Sequence, residues 1–329
     1  MTSTLHRLGD NSPNRPLMRA VVADREGDPD VQKLVEIERP EPGLTEILVR
    51  VRAAGVNPID WKIRAGNGME PVAFPAIMGY DVAGVVAQCG TGVTHFEVGD
   101  EVLGMPKFPV LPGAYAEYVT APARQFVPKP ANMSFDEAGG LPLAALTAWQ
   151  GLIDTGRLTA GQRVLIHAAA GGVGHLAVQI AKSRGAYVIG TASAPKHDFV
   201  RGLGADEVID YRGADFVEVL AGNPVDIVFD PISGPYSARS LRVLEDGGAL
   251  VSILAVDEFA AAEAQRRGIS TGFTLVEPDR LALTAITDLV IAGKLKVVVD
   301  SVFPLAEAAA AHRQAELSQT SGKIVLRVD

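Results

Sequence analysis

One cysteine, Cys89, stands in a chain of 329 residues, so the sequence can form neither an internal disulfide nor a thiolate cage for structural zinc. A reducing compartment suits it. Basic residues are in the minority: 30 Lys and Arg face 39 Asp and Glu, and the net charge of -9 disfavours nonspecific attraction to nucleic acid or an anionic bilayer. Long apolar runs are missing as well. The first 17 residues lack the apolar segment of a secretory signal, and no later stretch reaches membrane-spanning length. The expectation is a cytoplasmic protein with no nucleic-acid and no membrane partner.

Several catalytic signatures are absent too. No Lys followed by Ser or Thr closes a Gly-rich loop, which removes the P-loop nucleotide hydrolases. The six histidines are scattered rather than spaced as metal ligands, and no base is identifiable for Cys89. No metal is expected.

What the chain does contain is a 47% hydrophobic composition with 34 Gly and 21 Pro, which suits an ordered α/β protein with many turns. Its length favours two cores over one. Between Arg19 and Thr120, short apolar runs such as "RAVVA", "EILVRVRAAGV" and "VAGVVAQCG" are bounded by turn residues and predict strands. Ser134 and Glu137 have capping-box spacing ahead of a helical Ala/Leu run. From Arg163 onward strands such as "RVLIHA" and "DIVFD" alternate with helices, the pattern of a parallel sheet covered on both faces. The expected organisation is a loose extension over 1–17, a β-rich domain over 18–131, a doubly wound domain over 132–292, and a return over 293–329 whose final strand "KIVLRV" can rejoin the first domain.

The stretch from His167 to Ala186, "HAAAGGVGHLAVQIAKSRGA", is a strand, a Gly-rich turn and a helix start. Unpaired amides at such a turn receive a pyrophosphate, and small residues let the backbone approach it, so Ala170, Gly171, Gly172, Val173 and Gly174 are expected to bind a dinucleotide. Alanine takes the first fingerprint position, Ala169, which is compatible with a negative φ. An NAD site places Asp or Glu about 20 residues beyond. Here the second strand ends instead in Thr191, Ala192 and Ser193, followed by Lys196. Ser193 can donate to a 2'-phosphate and Lys196 can offset its charge, which favours NADPH over NADH. Tyr211 and Arg212 follow the third strand and can cover the adenine.

In combination, "AAGVNPIDWKIRAG", "PAIMGYDVAGVV", "VGDEVLG", "GAYAEYVT", the Gly-rich turn, "GGALVSI" and "SGKIVLRV", in this order, resemble the zinc-free quinone oxidoreductase branch of the medium-chain dehydrogenase/reductase superfamily, from about Arg19 to Val328. The resemblance implies a GroES-like β-rich catalytic domain, a Rossmann doubly wound domain, NADPH in the cleft between them, and a homodimer paired through the edge segment Thr271 to Val276. It also places Asn57 and Tyr80 where zinc-containing relatives carry Cys and His ligands, so catalytic zinc is not expected. Family patterning adds Pro231, Ser252, Phe273 and Lys323 as cofactor neighbours.

The catalytic candidates are Asn57, Asp60, Lys62 and Tyr80. The Asn57 amide can bind ribose, nicotinamide or a substrate carbonyl, or serve as a turn residue bonded to its own backbone. Asp60 either acts on the substrate or caps a segment beginning at Trp61. Lys62 can assist an oxyanion or remain solvated, and the Tyr80 phenol either donates to a substrate carbonyl or packs. Trp61, Tyr115 and Phe273 are candidate aromatic walls. The expected function is NADPH-dependent hydride transfer to a small hydrophobic quinone or α,β-unsaturated carbonyl. An enal or enone reductase with little quinone activity, and an NADPH-binding structural or regulatory protein, stay open beside it.

Overall fold

The computed structural model describes residues 15–254 and 258–329. Most of the expected N-terminal extension therefore lies outside the described residues. Among the described residues no helix is long and apolar enough to cross a membrane.

Six parallel strands form one sheet in the order Glu207–Asp210, Tyr187–Ala192, Arg163–Ile166, Val225–Asp230, Leu244–Ser252, Ser270–Phe273. The three central strands Tyr187–Ala192, Arg163–Ile166 and Val225–Asp230 are buried almost throughout, because helices such as Gly174–Ser183 and Pro235–Leu241 carry the chain between successive strands and cover the faces. Ser270–Phe273 is the edge strand.

A second, seven-stranded sheet is built around the 11-residue strand Glu46–Val56, which pairs antiparallel with Val82–Cys89, Tyr118–Pro122 and the last strand, Lys323–Arg327. The register Ile324↔Val56 and Val325↔Gly55 brings the end of the chain back beside its first third. That pairing sets the next residues on each strand, Lys323 and Asn57, against each other. A three-stranded sheet of Gln32–Glu38, Leu17–Ala23 and Ala76–Ile77 completes the described strands.

The helix from Phe135 starts at the Ser134 and Glu137 capping box: Ser134 N donates to Glu137 Oε2 at 2.9 Å and Glu137 N to Ser134 Oγ at 3.2 Å. After Pro142–Trp149 the coil widens to a π-type turn over Gln150–Thr155. There Gln150 uses both ends of its amide on one residue, donating to Glu277 O and accepting from Glu277 N, each at 2.9 Å. This fixes the irregular segment that follows the edge strand.

Candidate active site

The Gly-rich turn leaves the strand Arg163–Ile166 and enters the helix Gly174–Ser183. Its left-handed residue is Ala168, with φ of 47°, one position before Ala169. A side chain on Gly174 would place Cβ 2.1 Å from Ala168 O, so only glycine lets the helix start this close to the strand. Gly171 N is used within the turn, donating to Ala168 O at 2.8 Å. The amides of Gly172 and Val173, just ahead of the helix, make no backbone hydrogen bond among the described residues. Two free N–H groups at the positive end of a ten-residue helix fit an anionic pyrophosphate. Ala170 stands apart from this role: its carbonyl accepts from Gly322 N at 3.0 Å, stitching the turn to the final strand.

At the end of the neighbouring strand Ser193 is buried, and its hydroxyl has no hydrogen-bond partner among the described residues. Lys196 Nζ donates to Gln319 O and Thr320 O, both at 2.8 Å, and burial holds its pKa below the usual lysine value. Tyr211 is exposed on the loop after Glu207–Asp210, but the parallel pairing Ala192↔Asp210 brings its strand end next to that of Ser193. Thr191 faces inward, accepting from Ala168 N at 3.2 Å and bonding His167 Nδ1 at 3.3 Å. It braces the turn from behind.

A cleft of about 520 Å³ opens between the Gly-rich turn and the seven-stranded sheet. Gly171, Gly172, Val173 and Gly174 form one side, and Asn57, Lys62 and Lys323 supply polar groups on the other. Apolar walls come from Ile59, Trp61, Met69, Phe108, Leu254 and Val276. Such a lining suits a flat, largely apolar ligand with few polar atoms.

Beneath the cleft lies a buried polar cluster centred on Asn57, itself only 1% exposed. Asn57 Oδ1 accepts from Lys323 Nζ, and Asn57 Nδ2 donates to Asp81 Oδ2 at 2.8 Å. A lysine can only donate and a carboxylate can only accept, so the amide has one orientation. Asp81 Oδ1 also accepts from Leu143 N at 2.6 Å, and Lys323 Nζ lies 3.7 Å from Asp81 Oδ2. Burial depresses the Lys323 pKa and raises that of Asp81, while each opposes the other's shift. Gly55 leaves room for this arrangement, since a Cβ there would sit 2.5 Å from Asp81 Oδ2.

Asp60 requires a correction. The helix begins at Pro58 with Asn57 as its N-cap, so Asp60 is a third-position residue that accepts from Asn57 N at 2.7 Å rather than a cap before Trp61. It is fully buried and outside the cleft lining. Its Oδ2 also accepts from Tyr115 Oη at 3.0 Å, while Oδ1 has no partner among the described residues. Burial pushes its pKa up to about 7, against the lowering effect of the Asn57 and Tyr115 donors. Arg64 Nη1 approaches His312 Nδ1 at 3.5 Å, and His312 Nε2 meets Tyr115 Oη at 3.2 Å. Because Arg64 only donates, the chain runs in one direction, from Arg64 through His312 and Tyr115 to Asp60. Tyr115 is thus a buried bracket, not an aromatic wall of the cleft.

Tyr80 also points elsewhere than expected. It is 1% exposed, its hydroxyl donates to Pro109 O at 2.9 Å, and burial pushes the phenol pKa well up. Ser252 is fully buried, bonding Ser233 Oγ at 2.6 Å and accepting from Leu254 N at 3.2 Å, so its neighbours Ile253 and Leu254 reach the cleft in its place. Phe273, 54% exposed at the sheet edge, lines a separate shallow depression, whereas Thr274, Leu275 and Val276 line the cleft. Pro231 and Trp61 are in the lining. Asp81 and Gln150 were missed by sequence reasoning; only the conspicuous Asp next to Tyr80 in "GYDVAGVV" offered a signal for either.

The positions where zinc-containing relatives carry ligands do not fit a metal here. Asn57 is engaged by Lys323 and Asp81, and the buried ammonium beside that carboxylate would repel a metal cation.

Comparison with known proteins gives two family matches, the alcohol dehydrogenase GroES-like domain over residues 43–131 and the zinc-binding dehydrogenase domain over residues 203–326. The chain is 36% identical over 314 residues to the chloroplastic quinone-oxidoreductase homolog of Spinacia oleracea, covering 91% of this chain and 95% of that one. It superposes on the quinone oxidoreductase from Coxiella burnetii with a TM-score of 0.89 at 37% identity, over 95% of this chain and 100% of the other. The Escherichia coli quinone oxidoreductase complexed with NADPH gives 0.85 at 32% identity, over 94% and 99%. CurK enoyl reductase gives 0.86 at 31% identity, over 95% and 99%.

Proposed function

Because this chain belongs to the zinc-free quinone oxidoreductase-like branch of the medium-chain dehydrogenase/reductase superfamily, and is an NAD(P)H-dependent oxidoreductase, we propose that it uses NADPH to reduce a small hydrophobic quinone. The observation that carries this reading is the cleft itself: a Gly-rich turn with two unpaired amides on one side and a largely apolar wall on the other.

The bound cofactor supplies hydride; the protein supplies geometry and field. Gly172 and Val173 hold the pyrophosphate through their free amides. The unpartnered Ser193 hydroxyl and the Lys196 ammonium receive the 2'-phosphate, and the absence of a carboxylate at this strand end supports NADPH over NADH. Asn57, fixed between Lys323 and Asp81, lines the cleft and would offer its preorganised amide to the bound cofactor. Lys62, half-buried in the lining, is the cation placed to stabilise the acceptor oxygen as negative charge grows on it. Ile59, Trp61, Phe108 and Val276 exclude water from the transfer.

The resemblance to CurK enoyl reductase keeps α,β-unsaturated carbonyls as the second acceptor class. Steady-state rates for matched quinones and acyclic enones, each with NADPH and with NADH, decide both choices. A kcat/KM higher for the quinones with NADPH is expected. A preference for enones moves the acceptor class, and no turnover with any acceptor by folded protein refutes the enzymatic reading.

A further inference from the structure

The segment from Met105 to Ala114 contains no helix or strand, yet it carries Phe108, one of the aromatic walls of the cleft. Without a ladder of its own, such a segment needs partners from elsewhere to keep a fixed shape. Around Phe108, two bonds from outside and one internal turn do this. Lys107 N donates to Gln125 Oε1 at 2.9 Å, Val110 N closes a turn on Lys107 O at 2.8 Å, and Tyr80 Oη donates to Pro109 O at 2.9 Å. The Tyr80 ring also packs against Phe108, with centroids 5.0 Å apart and planes tilted by 56°. Phe108 is thus pinned through the residue before it, the residue after it, and its own ring face.

Tyr80 is suited to this work. It sits in the buried stretch between Gly79 and Val82, at the head of the strand Val82–Cys89, so its own position is set by the sheet core. We propose that Tyr80 is a positioning residue that sets acceptor specificity, holding the Phe108–Pro109 turn so that the Phe108 ring forms a fixed wall for a flat, ring-shaped acceptor. This rests on the reductase reading above. The phenol reaches the acceptor only through Phe108, since its hydroxyl is spent on Pro109 O and its side chain is outside the cleft lining. Small acyclic acceptors, which do not need a long flat contact, are indifferent to the pinning.

Tyr80→Phe removes only the hydroxyl and keeps the ring. At saturating NADPH its KM for a para-benzoquinone is expected to rise about fivefold, the equivalent of about 1 kcal/mol for one lost neutral hydrogen bond. Its kcat should stay within about twofold, and KM for methyl vinyl ketone should not move. Phe108→Ala removes the wall, so adding Tyr80→Phe to Phe108→Ala should have no further effect on the quinone KM. A fall in kcat for both acceptors that persists in the Phe108→Ala background would make Tyr80 a proton donor and overturn the proposal, as would an unchanged quinone KM. If the wild type turns over neither acceptor, the reductase reading itself fails. Quinone quenching of Trp61 fluorescence across the same four proteins then tests the positioning claim by Kd alone, and equal affinities would sink it.

Discussion

Replacing Asp60 by Asn tests whether the polar cluster beneath the cleft is held together around a neutral carboxyl. Asp60 has no exposed surface, its Oδ1 lacks a partner, and its pKa rises from 3.8 to about 7 on folding, chiefly through burial. Two donors, Asn57 N–H and the Tyr115 hydroxyl, favour the ionised form, as does the charge of Lys323; the charge of Asp81 opposes it. The nearby ions are otherwise matched, Lys323 with Asp81 and Arg64 with Glu316 at 2.5 Å, which leaves an ionised Asp60 without a cation of its own.

A folded pKa above the unfolded one means that the native state holds the proton more tightly. The corresponding stability is fully present below about pH 4 and is lost as pH rises to about 7. Three pH units correspond to about 4 kcal/mol, of which about 2 kcal/mol falls between pH 5 and pH 7. An amide is nearly isosteric with the neutral carboxyl and still offers one oxygen to Asn57 N–H and Tyr115. Asp60→Asn should therefore exceed the wild type by about 1–2 kcal/mol at pH 5 and by about 4 kcal/mol at pH 8. The buried imidazoles of His167, His175 and His312, lowered by burial to about 4, 4 and 3, stay neutral in the folded state across this range, so their contribution cancels in the difference. Urea unfolding of both proteins at pH 5, 6, 7 and 8 measures it directly. Parallel stability curves would show that Asp60 ionises normally in the native cluster and would refute the reasoning.

Other substitutions probe the remaining parts. Ser193→Asp puts a carboxylate where the 2'-phosphate is expected, so Kd for NADPH should rise at least tenfold while that for NADH changes little; equal losses by titration calorimetry would remove Ser193 from that role. Lys323→Met leaves the Asp81 carboxylate buried without its cation and should cost about 3–5 kcal/mol in denaturant unfolding. Lys323→Met with Asp81→Asn should recover most of that loss, and failure to recover would mean that the lysine acts through packing alone. Pairing of two copies along the exposed edge strand Ser270–Phe273 predicts a dimer by sedimentation velocity that Thr271→Pro, whose N–H faces the open side of the sheet, splits into folded monomers; a monomeric wild type at micromolar concentration defeats it.

The parts of this site that were legible in the sequence are those whose geometry is local. A strand, small residues and a helix start within one short stretch specify a pyrophosphate turn, because the free amides and the close approach at Gly174 involve neighbours only. The same holds for the Ser134 capping box. The strand Gln32–Glu38 was missed because most of its residues are exposed, leaving no apolar alternation to read. Tyr80 and Asp60 were visible as chemistry but not as direction. A phenol in "MGYDVAGVV" can face the cleft or the turn behind it, and only the packing of the Phe108 loop decides.

The centre of the site depends on the strand pairing of longest sequence separation among the described residues. Asn57 and Lys323 are 266 residues apart, and they meet because the final strand pairs antiparallel with Glu46–Val56 in one register. A shift of one residue would turn Lys323 to the opposite face of the sheet and leave Asn57 and Asp81 facing each other without a cation. Closing the sheet with the end of the chain therefore does two things at once. It completes the β-rich unit, and it delivers the charge that orients Asn57 at the wall of the cleft. The Gly322 N to Ala170 O bond, one residue away, ties that same strand to the pyrophosphate turn. The hydride carrier's loop and the residue facing it are thus held in register by three consecutive positions, Gly322 to Ile324, and by nothing that a local motif could reveal.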